Sequence, residues 1–147
     1  MLKSTGVVVG ILLFLLHSLY AETAISATDT TDELSEKCEK YLFGKGIEQD
    51  YKKAFKWCKL AADQGHANAQ YNVGAFYDYG IGGVLQEKKE AFKWYKFAAD
   101  QGDAEAQYNI GVFYNNGYGS VLKDEKEAFK WYKLAADQGV DLAQYVV

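Results

Sequence analysis

YNVGAFYDYGIGGVLQEKKEAFKWYKFAADQGDAEAQ, residues 71–107, lies over YNIGVFYNNGYGSVLKDEKEAFKWYKLAADQGVDLAQ, residues 108–144, without a gap. The offset is 37 residues. Self-similarity at such a period marks a chain of stacked supersecondary units. Ser35 to Gln70 is a third, more divergent copy, one residue shorter in its loop. Its second half, KKAFKWCKLAADQGHANAQ, keeps the register: Ala54, Ala91 and Ala128; Trp57, Trp94 and Trp131; Gly65, Gly102 and Gly139. Tyr145 begins a fourth, incomplete copy that stops after Val147.

Each copy reads as two helices. Over residues 90–101, Ala91, Trp94, Tyr95 and Ala98 cluster on one side at about 100° per residue. Phe92, Phe97 and Ala99 widen the apolar arc to roughly 220°. A helix apolar over so wide an arc needs partners on two sides, as in a stack of helix pairs. Gly65, Gly102 and Gly139 sit where a left-handed residue ends a helix. Asp50 and Asp124 fit helix starts, because a carboxylate there accepts from free N–H groups. In residues 71–79, Val73, Phe76 and Tyr77 form the buried stripe of the first helix. Gly74 costs such a helix about 0.8–1 kcal/mol relative to alanine. Its recurrence as Gly111 therefore implies a close crossing, with Ala91 and Ala128 as the expected partners. The fold class is all-α, an α/α superhelical solenoid of about three helix pairs. Gly80-x-Gly82 and Gly117-x-Gly119 are loop glycines rather than phosphate cradles, since no strand precedes them and the lysine of a phosphate loop is missing.

Gly74 and Tyr77, Gly80 and Gly82, Ala91, Trp94 and Tyr95, Ala98 and Ala99, then Gln101-Gly102, Ala104, Ala106 and Gln107 together resemble the Sel-1-like repeat family. The last copy matches at Gly111, Tyr114, Gly117, Gly119, Ala128, Trp131, Tyr132, Ala135, Ala136 and Gln138-Gly139, and the first at Asp50 to Ala54. The resemblance covers about residues 34–144. It implies a right-handed superhelix close to tetratricopeptide repeats, with the first helices lining a concave surface and the second helices forming the back. It also implies an adaptor that holds other proteins. The first copy departs from the pattern: Cys38 stands where the others have Gly74 and Gly111, and Cys58 where they have Tyr95 and Tyr132. The last second helix would expose aromatic surface, so the reading includes a truncated chain, end-to-end self-association, or a partner docked on that face.

Outside the repeats the chain reads as an address. Lys3, an apolar run over residues 6–20 and Ala21 before the charged Glu22 form a secretory signal, cleaved after Ala21. The run is 15 residues, below the roughly 20 that a spanning helix needs. The expected division is a signal over 1–21, a flexible Thr-rich leader over 22–31, and a repeat domain over 32–147 with repeats of about 35–70, 71–107 and 108–144. The mature chain is expected to be secreted or periplasmic and to leave the membrane.

An exported chain with two cysteines favours a disulfide. The repeat register puts Cys38 and Cys58 on facing sides of one helix pair. A bridge there would contribute roughly 3 kcal/mol; two buried thiols are the alternative.

The 147 residues hold 16 lysines, no arginine and 20 acids, a formal charge of −4. That balance argues against nucleic acid as a partner. The 12 Tyr, 8 Phe and 3 Trp fall mostly on apolar stripes, so Trp57, Trp94, Trp131, Tyr77 and Tyr114 read as core. Lys56, Lys93 and Lys130, with Lys59, Lys96 and Lys133, form ladders. Asp63, Asp100 and Asp137 lie four residues after the second ladder and partly neutralise it.

The exposed arc of the first helices is the candidate binding face for a protein or peptide partner. It holds Asn68, Tyr71, Asn72, Ala75, Asp78 and Tyr79 in one copy. In the next it holds Glu105, Tyr108, Asn109, Val112, Asn115 and Asn116. Catalysis, cofactor and metal find little footing. His66 is the only histidine beyond the signal, no His/Cys cluster has zinc spacing, and Ser120 lacks a nucleophile elbow. A secreted β-lactam-binding or β-lactam-hydrolysing relative of cysteine-rich repeat proteins is the alternative function.

Overall fold

A computed structural model describes residues 29–144. The signal, most of the leader, and the fourth copy from Tyr145 lie outside the described residues. Six helices of equal length alternate with short loops: α1 (Thr31–Phe43), α2 (Tyr51–Asp63), α3 (Ala67–Tyr79), α4 (Lys88–Asp100), α5 (Ala104–Asn116) and α6 (Glu125–Asp137). A short α7 (Asp141–Gln144) follows. Each helix packs mainly on its chain neighbours, and α1 also touches α3. The pairs α1–α2, α3–α4 and α5–α6 therefore stack in sequence as a helical solenoid.

Local chemistry sets the helix ends. Thr30 accepts from the Glu33 N–H at 3.3 Å, and the Glu33 carboxylate accepts from the Thr30 N–H at 2.7 Å. This reciprocal cap draws Thr30 into the fold although the leader was expected to run through Thr31. Asp50 accepts from the Lys53 N–H at 2.9 Å, and Asp124 from the Lys126 and Glu127 N–H groups at 3.0 Å. Glu87 holds the same place before α4 but makes no side-chain cap bond. Shortening it is expected to help: Glu87→Asp should raise stability by about 0.5–1 kcal/mol, read as a higher urea midpoint.

The first helices end on left-handed glycines, Gly44, Gly80 and Gly117. The second helices end two residues before Gly65, Gly102 and Gly139, at φ of 94°, 96° and 91°. The first helices begin at Ala67 and Ala104, four residues ahead of the start assumed from the alignment. Their N-caps are His66 and Asp103, so the structural repeat is the sequence repeat shifted by four.

The core follows the apolar stripes. Val73, Phe76, Ile110 and Phe113 from the first helices are buried with Ala54, Trp57, Ala91, Trp94, Tyr95 and Ala98 from the second. Three expectations need correction. Phe97 is 45% exposed, lying edge-on to Trp94 instead of under a neighbour. Trp131, Tyr77 and Tyr114 are only partly buried. The partner of Gly74 is not Ala91 but Tyr95, because a Cβ built on Gly74 would lie 2.6 Å from the ring. Gly111 meets Tyr132 in the same way. A tyrosine ring lies flat in the space left by the missing Cβ. In the first repeat Cys38 and Cys58 fill this slot, and they are bonded, with Cα atoms 4.7 Å apart.

Buried amides tie the pairs together. Gln70 donates to the Ala62 carbonyl at 3.2 Å and accepts from Gln101 at 2.7 Å. Gln107 does the same with Ala99 and Gln138, at 3.3 and 2.8 Å. Each bridges the end of one second helix to the end of the next.

The two ends of the stack differ. On α1, the positions equivalent to Ala69, Val73 and Phe76 carry Glu33, Lys37 and Lys40, so the N-terminal edge is polar, as a solenoid cap requires. At the other end, Phe129 is 49% exposed and Leu134 47%.

Candidate functional site: the face of the first helices

The residues singled out for binding sit on α3 and α5, and the structure separates them by role. Asn68, Tyr79, Glu105, Asn115 and Asn116 are exposed; Tyr71, Tyr108, Asp78 and Asn109 are partly buried; Asn72 is buried. Asn72 donates to the Asn68 side chain at 2.9 Å and to the Cys38 sulfur at 3.8 Å. Its amide points into the stack, so it braces the face instead of presenting itself. Asp78 is likewise engaged. It pairs with the Lys88 ammonium, and the Tyr95 hydroxyl donates to its other oxygen at 3.4 Å. Asn116 donates back to the Val112 carbonyl at 2.8 Å.

Tyr71 and Tyr108 occupy the same place in successive repeats. Each ring leans on the tyrosine of the glycine slot: Tyr71 on Tyr95 at 5.7 Å and Tyr108 on Tyr132 at 5.5 Å between centroids. Their orientation is therefore fixed by the core. Asn109 of the next first helix lies beside the Tyr71 phenol and favours its ionised form. Burial holds the Tyr71 phenol above its usual pKa, and the carboxylates of Glu105 and Asp103 push it further. Tyr95 is raised as well, first by burial and then by Asp78. A neutral hydroxyl that can donate and accept is what Tyr71 offers at ordinary pH.

Between α1 and the start of α3 lies a recess of about 400 Å³, lined by Asp32, Ser35, Glu36, Glu39, His66 and Asn68. His66 uses Nδ1 to accept from the Ala69 N–H at 3.3 Å, and its Nε2 is 3.7 Å from Asp32. The α1 share of this face was not singled out from sequence. Its signal was available: Asp32, Ser35 and Glu36 align with Asn68, Tyr71 and Asn72 once the shorter loop is allowed for.

On the opposite, second-helix surface the second lysine ladder is matched within each helix. Lys59 pairs with Asp63, Lys96 with Asp100 and Lys133 with Asp137. Lys59 also lies over the Trp94 ring of the next repeat at 4.8 Å, and Lys96 over Trp131 at 5.1 Å. These cation–π contacts link neighbouring pairs. They explain why the lysine ladder recurs without invoking a partner.

Among the described residues no group of three or more His, Cys, Asp or Glu is arranged to hold a metal ion. No described helix is long and apolar enough to cross a membrane.

A stack of capped helix pairs with a recurring face defines a repeat scaffold. The Sel1 repeat matches residues 38–66, 67–103 and 104–140, and the chain belongs to the Sel1 repeat family. Repeats of this family typically provide scaffolds for protein–protein interaction. Among solved structures, the chain is similar to c5321, a protective antigen of uropathogenic Escherichia coli with an SLR fold. The two are 38% identical over 77% of this chain and 24% of that one, with a TM-score of 0.72. It is also similar to a Sel1 repeat protein from Oxalobacter formigenes, 35% identical over 85% of this chain and 50% of that one, TM-score 0.73. The chain thus spans a quarter to a half of the length of these relatives. The fold is shared with cysteine-rich protein B of Helicobacter pylori, at 20% identity over 83% of this chain and all of that one, TM-score 0.65. Comparison with curated proteins gave no match.

Proposed function

We propose that the chain is an exported adaptor that holds a protein or peptide segment along the concave face of its first helices. The observation that carries this reading is the pair Tyr71 and Tyr108. Both are core-braced, half-buried rings at identical places in adjacent repeats. Rigid aromatic side chains lose little entropy on binding and supply much contact area. On the second-helix surface Lys59, Lys96 and Lys133 are already paired with aspartates of their own helices. A disulfide between Cys38 and Cys58 supports an oxidising compartment, in keeping with the signal expected over residues 1–21.

The test is capture of a partner from the native periplasm or medium by the mature chain, compared with Tyr71→Ala and Asn109→Ala. Binding should fall at least about tenfold with Tyr71→Ala, the cost of a buried aromatic anchor. A partner retained at full affinity by both variants contradicts the assignment. The rival β-lactam reading makes a separate demand, turnover of nitrocefin by the purified chain. Such turnover, abolished by substitution of a named residue, would replace adaptor by hydrolase.

The C-terminal edge supports a second, self-directed contact. Phe55 packs on Phe76 and Tyr77 of the next repeat, and Phe92 on Phe113 and Tyr114. Phe129 is third in that series and half exposed. With the other edge charged, end-to-end association joins two such edges tail to tail. Sedimentation should show concentration-dependent dimers that Phe129→Ser removes; an unchanged monomer at high concentration contradicts the contact.

A further inference from the structure

Charge is sorted between the two surfaces of the stack. The described residues include 15 lysines. Eleven lie on α2, α4 and α6, two lie in loops, and none is on α3 or α5. The remaining two, Lys37 and Lys40 of α1, stand at the polar N-terminal edge, with Lys37 paired to Asp29 and lying over Trp57. The acids are shared evenly between first and second helices and differ in their pairing. Those on the second helices are mostly spent on neighbouring lysines: Asp63, Glu90, Asp100, Glu127 and Asp137 each have a partner. On the first-helix face, Asp78 is neutralised by Lys88 and Glu39 by Lys45. Asp32 has only His66 at 3.7 Å. Glu36 and Glu105 have no ion-pair partner among the described residues. Glu36 and Glu105 thus stand uncompensated on the face that carries the braced tyrosines, within a chain of formal charge −4.

Resting on the reading of that face as the binding surface, we infer that its partner is an extended basic segment, with lysine or arginine side chains placed opposite Glu36 and Glu105. Glu36 lines the recess between α1 and α3, which has room for one long cationic side chain. Glu105 opens α5, two repeats further on, beside Tyr71, where its field is already felt. Successive first helices, held side by side by the second helix between them, stand on the order of 10 Å apart, so the two carboxylates are separated by roughly 20 Å. An extended chain covers about 3.3 Å per residue. Two basic residues about six positions apart therefore meet the two sites, and the uncharged residues between them pass over Tyr71. Complementary charge gives such a site its specificity and association rate.

A random dodecamer library panned on the full chain, with selected peptides then synthesised for calorimetry, tests this. Lysine and arginine should be enriched at a spacing of about six. Glu36→Lys with Glu105→Lys should weaken binding at least about tenfold, and Glu36→Gln with Glu105→Gln several-fold. Lys93→Gln on the second helices should leave it unchanged, and about 0.5 M salt should weaken it. Circular dichroism establishes that each variant is folded. Peptides that need Tyr71 yet lack basic residues and ignore both pairs of substitutions overturn the charge assignment while leaving the face reading intact. Peptides indifferent to Tyr71→Ala as well, or no selected peptide at all, overturn both.

Discussion

Gly74→Ala is expected to destabilise the chain by about 2 kcal/mol, although helix propensity alone favours alanine by about 0.8–1 kcal/mol. The sign is decided by one contact. The new Cβ would sit 2.6 Å from Cδ1 and 2.8 Å from Cε1 of Tyr95, far inside van der Waals contact. The ring cannot swing away. It is buried, touches Tyr71 and Phe113 on other sides, and donates its hydroxyl to Asp78. Overpacking of this kind costs about 1–3 kcal/mol, and valine at the same place should exceed alanine. Urea denaturation measures it. A double cycle with Tyr95→Leu should remove most of the penalty, since the flat ring is the obstacle. A Gly74→Ala chain more stable than its parent would mean that the glycine is not kept for this crossing. Gly111→Ala against Tyr132 should behave alike.

Reducing the Cys38–Cys58 bridge should cost about 3 kcal/mol, because it closes a loop of 20 residues. That corresponds to roughly 10 °C or more in melting temperature. The loss should be local. In a solenoid each pair leans only on its neighbours, so α1 and α2 are expected to lose hydrogen-exchange protection while α5 keeps most of its own. The first repeat also lacks much of the apolar inventory of the others, carrying Lys37 and Lys40 where they have valine or isoleucine and phenylalanine. The bridge compensates for that thinner core. Cys38→Gly with Cys58→Tyr would rebuild the slot of the later repeats and should recover part of the stability without sulfur. A melt unaffected by reductant would contradict the role given to the bridge.

These two results concern the same position read in three repeats, and that position shows where sequence reasoning reached its limit. Periodicity and the 37-residue offset made the helix pairs legible, and the left-handed glycines placed their ends. The recurrence of Gly74 as Gly111 announced a close crossing. Which residue filled it was not legible, because alanine and tyrosine lie one turn apart on the same stripe and only three-dimensional packing chooses between them. The cysteine pair was found by compartment logic and register, and the same alignment places it in the tyrosine slot.

The candidate face was partly legible. Asn68 and Glu105 are exposed as helical periodicity expects, whereas Tyr71 and Tyr108 are half-buried against the tyrosines of the glycine slots. Asn72 and Asp78 turn inward to partners on other helices, Cys38 and Lys88, which periodicity within one helix does not reveal. The α1 share of the face was obscured because its residues are acids and serine instead of asparagine and tyrosine, and because the loop after α1 is one residue shorter. The lysine–tryptophan contacts were hidden for a related reason: Lys59 and Trp94 belong to different repeats and meet only when the pairs stack.

Everything proposed for binding depends on the first-helix face being the surface that a partner covers. Hydrogen-exchange footprinting of the full chain with a saturating selected peptide tests it most directly. Added protection is expected on α3 and α5, around Tyr71, Glu105 and Tyr108, with the amides of α4 and α6 near Lys93 and Lys130 unchanged. Protection confined to the second helices, with α3 and α5 unaltered, would contradict it.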